Sequence, residues 1–166
     1  MSGLAILLIF ITVLFSGAMA GLFYAYSVSV MWGLDAISGE DAVAAMQSIN
    51  QQIQNPIFFT TFFLTPLVAV AAAIACTMAG QTSAAIAVAA AGIIYVFGAF
   101  VPTVAINVPM NEALAILGSG RDADWLAYSP RWTFWNHLRT LACFASLASS
   151  AVALFLWERT PEPIGG

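Results

Sequence analysis

Four long apolar stretches dominate the pattern of hydrophobic and polar positions along the chain. They cover residues 3–34, 57–79, 84–106 and 133–157. A helix needs about 20 residues to cross the roughly 30 Å hydrocarbon core of a bilayer, so each stretch is long enough. Only helices and closed barrels satisfy their backbone groups in lipid, and none of these stretches alternates as a barrel strand does. The pattern therefore predicts an all-α fold, a four-helix transmembrane bundle.

Between the first two spans, residues 39–54 have the pattern of an amphipathic surface helix. Ser38 followed by Asp41 approximates a capping box at its start, and Asn55-Pro56 ends it. Apolar residues recur at helical spacing on one face, namely Val43, Met46, Ile49 and Ile53. Amides occupy the other face, namely Gln47, Asn50, Gln51 and Gln54. We expect this helix to lie at the membrane surface or to fold over the bundle.

The connection between the third and fourth spans is the most polar part of the chain. Asn107 can act as an N-cap, with Pro109 in the first turn of a short helix that ends near Gly118. Glu112 suits the positive end of that helix, so neither Asn107 nor Glu112 requires a catalytic explanation. Asn111, one helical turn beyond Asn107, has no such structural role and could face a pocket.

The lengths of the connections predict the topology of a single membrane domain, residues 1–166. Gly80 to Ser83 leave room only for a tight hairpin between the second and third spans. Both long connections then lie on one side of the membrane, with Arg159 on the other. Ala18-Met19-Ala20 resembles a signal-peptide cleavage site, but no positive charge precedes it, so we expect the first span to be retained.

Composition supports a membrane protein and excludes several classes. Of the 166 residues, 61% are hydrophobic and only 7% are charged, too few to cover a water-soluble domain of this size. Lysine is absent and the net charge is −4, so neither nucleic acid nor polybasic lipid binding is supported. Cys76 and Cys143 both lie in apolar runs, which favours buried free thiols over a metal site.

The start of the fourth span concentrates polar and aromatic side chains on one helix face. At 100° per residue this face holds Trp132, Trp135, Asn136, Arg139 and Cys143. An arginine two turns into a span should point into the bundle, toward an amide, a carboxylate or an anionic ligand. The alternative is an interfacial aromatic belt with an arginine that extends to the headgroups.

His137, the only histidine, falls off this face and is a candidate general base, because a neutral imidazole accepts protons near pH 7. No cofactor is expected, although haem with His137 as its one axial ligand, or copper, stays open as an alternative. Tyr24, Tyr26, Ser27 and Ser29 end the first span on the same side of the membrane. Aromatic walls with a few amides and an arginine suit a flat, apolar, hydrogen-bonding molecule.

Four segments resemble the anthrone oxygenase-like family of small four-span membrane proteins. They are Gly21 to Ser27, Met46 to Asn50, Asn107 to Asn111, and Trp132 to Arg139. Characterised fungal members oxidise anthrones to anthraquinones with O2, and many bacterial members have no known substrate. The resemblance implies a monooxygenase of an inner (cell) membrane, acting on a lipophilic phenolic, anthrone-like or quinol-like ring.

The resemblance also implies roles for single residues. His137 would remove a proton, while Arg139 with Asn136, Asn111 or Asn107 would stabilise the enolate and the peroxide. Tyr24, Asn107, Trp132 and Trp135 would contact the substrate. The expected partners are membrane lipid and a lipophilic aromatic molecule, with a homo-oligomer or larger membrane complex as a further prediction. The alternative is a non-catalytic accessory subunit or lipid-phase binding protein, and transport is disfavoured because no inverted repeat is evident.

Overall fold

A computed structural model describes residues 2–118 and 120–158, so the prediction for Arg159 lies outside it. The described chain is helical throughout, without a strand, and forms five continuous helices. Their bounds are α1, Ser2–Asp35; α2, Gly39–Gln52; α3, Pro56–Met78; α4, Thr82–Ala115; and α5, Asp122–Glu158. All except α2 are long and apolar enough to cross a membrane, which confirms the predicted four-span bundle.

The four spans form a ring in which α1 and α4 each pack between α3 and α5. Away from the long connections, the core consists mostly of small side chains such as Ala5, Ala69 and Ala84. Small residues let helix backbones approach closely in lipid, where apolar burial by itself provides little driving force. Large apolar residues such as Leu67 and Phe97 point outward, 62% and 70% exposed in the isolated chain. The surface expected to face lipid therefore carries larger apolar side chains than this part of the interior.

The surface helix α2 folds over one end of this bundle. Ser38 caps it as predicted, its Oγ accepting a 3.2 Å hydrogen bond from the Asp41 amide. Val43 and Met46 are fully buried against aromatic side chains of α5. Two glycines permit this close approach: a Cβ on Gly39 would collide with Asp122, and one on Gly120 would lie 2.6 Å from Val43.

Three π-helical segments interrupt the spans, Tyr26–Val30 in α1 and Val96–Phe100 and Thr103–Asn107 in α4. Each changes the phase of the helix, so the residues that follow face a different direction than an ideal α-helix would give them. All three lie in the half of the bundle covered by α2. Segments of this kind are frequent at functional sites.

Two predicted boundaries differ from the structure. The fourth span begins at Asp122 rather than residue 133, and its helix runs through Pro130. The short helix expected after the third span is present as Val108–Ala115, but it continues α4 without a break. Asn107 is consequently helical (φ −71°, ψ −38°) and makes no capping hydrogen bond, so the N-cap prediction was wrong.

Candidate functional site

A cavity of about 330 Å³ opens beneath α2, at the end of the bundle where the long connections lie. This volume is at the lower end of the range for small-molecule sites. All five helices contribute to its wall. The side chains with polar groups or aromatic rings that line it are Phe23, Tyr26, Gln47, Asn50, Gln51, Gln54, Phe58, Phe59, Thr103, Asn107, Asn111, Glu112, Trp132 and Arg139.

Arg139 is the one cationic side chain in this wall, and it is only 3% exposed. Its Nη1 donates to Thr103 Oγ1 at 3.2 Å and its Nη2 to Asn136 Oδ1 at 2.9 Å, while Nε has no partner. The guanidinium carbon lies 4.4 Å from the ring centre of Phe23 and 5.1 Å from that of Trp132. The inward orientation predicted for Arg139 is therefore confirmed.

No carboxylate neutralises this guanidinium, because the one ion pair among residues 2–118 and 120–158 joins Arg121 to Asp124 on the surface. Removing a charge from water costs several kcal/mol unless hydrogen bonds and opposite charge compensate. Two neutral acceptors and two aromatic rings compensate only in part. Arg139 is thus preorganised to bind an anion, or an oxygen on which negative charge develops.

A hydrogen-bonded chain behind Arg139 fixes its position. Asn136 is fully buried, and its Nδ2 donates to the Phe23 carbonyl and to Ser27 Oγ, both at 2.8 Å. Ser27 Oγ also lies 3.2 Å from Thr140 Oγ1 and 2.9 Å from His137 Nδ1. Since both donors of Asn136 are engaged, its oxygen is held toward the guanidinium. Asn136 therefore positions Arg139 from outside the cavity wall.

Asn111 fixes the aromatic side of the cavity. Its Oδ1 accepts hydrogen bonds from Tyr128 Oη at 2.8 Å and Trp132 Nε1 at 2.9 Å. Tyr26 packs on Trp132 with 5.4 Å between ring centres. Outside this cluster, Asp35 accepts from Trp125 Nε1 and Ser129 Oγ, which ties the end of α1 to the first turns of α5. The indole of Trp132 is thereby held flat against the cavity.

The amide face of α2 forms the roof of the cavity. Gln47 donates from Nε2 to the carbonyls of Leu114 and Leu117, both at 2.8 Å, and so closes the end of α4. Asn50 Nδ2 in the roof and Asn107 Oδ1 in the wall are buried without a hydrogen-bond partner. Buried polar atoms are seldom left unpaired in folded proteins. Arg139 Nε is buried without a partner as well, so two donors and one acceptor around the cavity are unpaired.

The structure brings some of the predicted site residues together and separates others. Arg139, Asn111, Asn107 and Trp132 line the cavity, and Asn136 supports Arg139 from behind. Three predicted site residues lie outside the cavity wall. Tyr24 is 50% exposed and packs edge-on against Phe144, and Trp135 packs against Phe134. His137 is exposed apart from its contact with Ser27.

Sequence reasoning did not identify Phe23 and Thr103, which contact Arg139 directly. The signal was available as helical spacing: Phe23 precedes Tyr26 by three positions, and Thr103 precedes Asn107 by four. The roof amides were recognised as the polar face of α2 but were not included among the candidate site residues. Glu112, interpreted structurally, also lines the cavity.

Neither cysteine belongs to this site. Cys76 and Cys143 are buried free thiols, as the sequence predicted. Within the described chain, no three side chains of His, Cys, Asp or Glu are grouped so that they could hold a metal ion.

The fold and this site define a four-span integral membrane protein with a small-molecule cavity at one end of its bundle. The sequence profile of the family described as anthrone oxygenase matches residues 56–149, more than half of the chain. The protein therefore belongs to the anthrone oxygenase family. The match includes Thr103, Asn107, Asn111 and Arg139, whereas α1 and the roof lie outside it. Searches of curated proteins and of solved structures found no match.

Proposed function

We propose that this protein is a membrane monooxygenase that oxidises a lipophilic phenolic, anthrone-like or quinol-like ring with O2 in the cavity beneath α2. The observation on which the proposal rests is Arg139, a buried cation without a carboxylate partner whose free Nε belongs to a residue of the cavity wall. Membership of the anthrone oxygenase family supports the same reaction class.

The proposed oxidation requires the enzyme to stabilise the negative charge that develops on the substrate oxygen. For an anthrone, loss of a proton from the ring CH2 gives an enolate whose oxygen bears the negative charge. The guanidinium would stabilise that oxygen more strongly than the neutral carbonyl, which lowers the barrier to deprotonation. Asn107 and Asn50 have free polar atoms for further ring hydroxyl groups.

The enolate then supplies the electrons for the reaction with O2. A C–O bond forms at the former CH2 carbon, and protonation gives a hydroperoxide. Loss of water, with the second hydrogen of that carbon, leaves a new carbonyl group, so anthrone and O2 yield anthraquinone and H2O. One oxygen atom enters the product and the other leaves as water.

The cavity walls fit a flat apolar substrate. Phe23, Tyr26 and Trp132 supply aromatic faces around the guanidinium, and Phe58 and Phe59 extend the apolar surface at the side of α3. Buried aromatic pairs stabilise ring stacking by about 0.5–1.5 kcal/mol beyond area burial. Both the substrate and O2 partition into lipid, which surrounds this bundle.

An assay of the purified protein in lipid nanodiscs tests the proposal. Anthrone and 18O2 should give anthraquinone with one labelled oxygen, faster than in empty nanodiscs. Arg139→Met should lower kcat/KM by about 10²–10³-fold, the usual effect of removing a donor to a developing oxyanion. Arg131→Met, an exposed arginine on the same helix, is the matched control and should keep wild-type turnover.

Two results would contradict the proposal. Turnover by Arg139→Met at the wild-type rate would show that the guanidinium has no role in the reaction. Saturable binding of anthrone by wild-type protein, measured by quenching of its tryptophan fluorescence, without any quinone would instead identify a lipid-phase binding protein.

A further inference from the structure

The reaction needs a group that accepts the substrate's proton, and the structure changes the candidate for it. His137, the base expected from sequence, lies outside the cavity wall, and its Nδ1 is 2.9 Å from Ser27 Oγ on the outer side of α5. A general base must come within about 3 Å of the proton it removes, or reach it through one water. His137 has no such access from its position.

Among the residues that the structure describes, Glu112 is the one carboxylate that lines the cavity. The other ionisable groups in the wall are Tyr26 and Arg139, whose side chains are ordinarily protonated at neutral pH. The roof contributes amides, which are not bases. Glu112 makes no hydrogen bond or ion pair with any described residue, so its oxygens are available to a ligand.

The positions of Glu112 and Arg139 give the cavity two chemically different ends. Arg139 is at the buried end, where it bonds to Thr103, whereas Glu112 is exposed in the isolated chain. Glu112 follows Thr103 by nine residues on α4, at most about 13 Å along the helix axis at 1.5 Å per residue, because the π-helical segment Thr103–Asn107 rises less per residue. Its side chain leans back toward the helix N-terminus, which shortens the separation from the guanidinium.

A ring with a carbonyl oxygen opposite an acidic CH2 fits this separation. The carbonyl oxygen and the CH2 carbon lie across one six-membered ring from each other. With a contact of about 3 Å at each end, the distance from the guanidinium donor to the carboxylate oxygen is roughly 10 Å. Asn107 and Asn111 follow Thr103 at four-residue intervals and line the wall between the two ends. The carbonyl oxygen would then meet Arg139 while the CH2 faces Glu112.

We propose that Glu112 is the catalytic base that removes the C–H proton of the substrate. This inference rests on the proposed function. The Glu112 carboxylate takes the proton, and the electron pair of the C–H bond moves to the oxygen beside Arg139. The proton is later returned when the peroxide is protonated, so Glu112 is unchanged after each turnover.

Hydrogen exchange without oxygen isolates this step. Under argon in D2O, wild-type protein in nanodiscs should accelerate deuterium uptake at the CH2 group of anthrone relative to empty nanodiscs, followed by NMR. Glu112→Gln should lose about 10²–10⁴-fold of that acceleration, the usual contribution of a general base. Its anthrone affinity should change by less than about threefold, and Glu112→Asp should restore part of the exchange.

Glu40→Gln, an exposed glutamate at the start of α2, is the matched control and should exchange as wild type does. Two results would overturn Glu112 as the base without affecting the proposed monooxygenase activity. One is deuterium exchange at the wild-type rate by Glu112→Gln, and the other is oxidation by the wild-type protein without anaerobic exchange. Absence of both exchange and oxidation in wild type overturns the proposed function itself. If Glu112→Gln does not fold, the rate of Glu112→Asp decides, because an unaltered rate contradicts a base whose reach is shortened by one methylene.

Discussion

The same four spans form both halves of this bundle, but their side chains pack differently in the two halves. The half near the chain termini has a core of alanines with Ile9 and Val88 and regular α-helix. The half beneath α2 contains all three π-helical segments, a buried arginine, unpaired amides and a cavity. Close packing in one half holds the helices together, so the other can keep polar groups that reduce stability.

The largest expected effect comes from breaking the hydrogen bonds of the cavity half. Asn111→Ala leaves Tyr128 Oη and Trp132 Nε1 without their acceptor, at a cost of about 1–3 kcal/mol of unfolding free energy. The indole is then free to shift, and misplacement of about 1 Å can lower kcat/KM by roughly 10²-fold.

Asn111→Asp retains an acceptor oxygen and is the control. It should stay within about tenfold of wild-type kcat/KM, with the midpoint of urea unfolding close to wild type. Equal loss of turnover in both variants would show that the amide itself contacts the substrate, rather than holding Trp132.

An intermediate effect is expected from overfilling the close-packed half. A Cβ at Gly92 would lie 3.1 Å from the Ala69 Cβ, so Gly92→Leu forces α3 and α4 apart and should cost about 1–3 kcal/mol of unfolding free energy. Anthrone affinity per folded molecule should stay unchanged, because the cavity lies in the other half.

Gly21→Leu is the matched control, since nothing lies within 4 Å of a Cβ there. Its denaturation midpoint should equal that of wild type. The sequence pairs Gly17 with Gly21 as a helix contact, and only Gly17 has a neighbour within that distance, Leu147. A large destabilisation by Gly21→Leu would indicate a contact with another chain.

The smallest effect is predicted for His137→Phe. The ring lies outside the cavity, and Ser27 retains its hydrogen bond from Asn136 after the change. Turnover should remain within about threefold of wild type, an energy difference below 1 kcal/mol. A loss of 10²-fold or more in steady-state assays would restore His137 as the candidate base.

The sequence predicted the fold more fully than the site. Apolar runs mark the spans, and Ser38 with the periodicity of α2 marks the surface helix, because lipid immersion and capping leave local signals. The early start of α5 has no such signal. Its first turns contain Pro130 and two aspartates, and they are held by hydrogen bonds from Trp125 and Ser129 to Asp35, some 90 residues earlier.

Within the site, the sequence identified residues whose burial follows from charge, such as Arg139. It misplaced side chains near the limits of a helix face, such as Tyr24 and Trp135. A difference of one position rotates a side chain by 100°, and the π-helical segment that begins at Tyr26 also shifts the phase of the residues after it, Ser27 among them. Such phase shifts depend on tertiary packing and have no short-range sequence signature.

The length of α5 sets the depth of the reaction within the bilayer. Arg139 is 19 residues from Glu158, about 28 Å along the helix axis, which is close to the roughly 30 Å thickness of the hydrocarbon core. With Glu158 at one boundary of the hydrocarbon, the guanidinium would lie near the other. On the proposed function, a substrate dissolved in the lipid leaflet would enter the cavity directly from the bilayer. The variable that governs saturation is then the mole fraction of substrate per lipid, so adding empty vesicles at fixed total substrate should slow turnover by surface dilution.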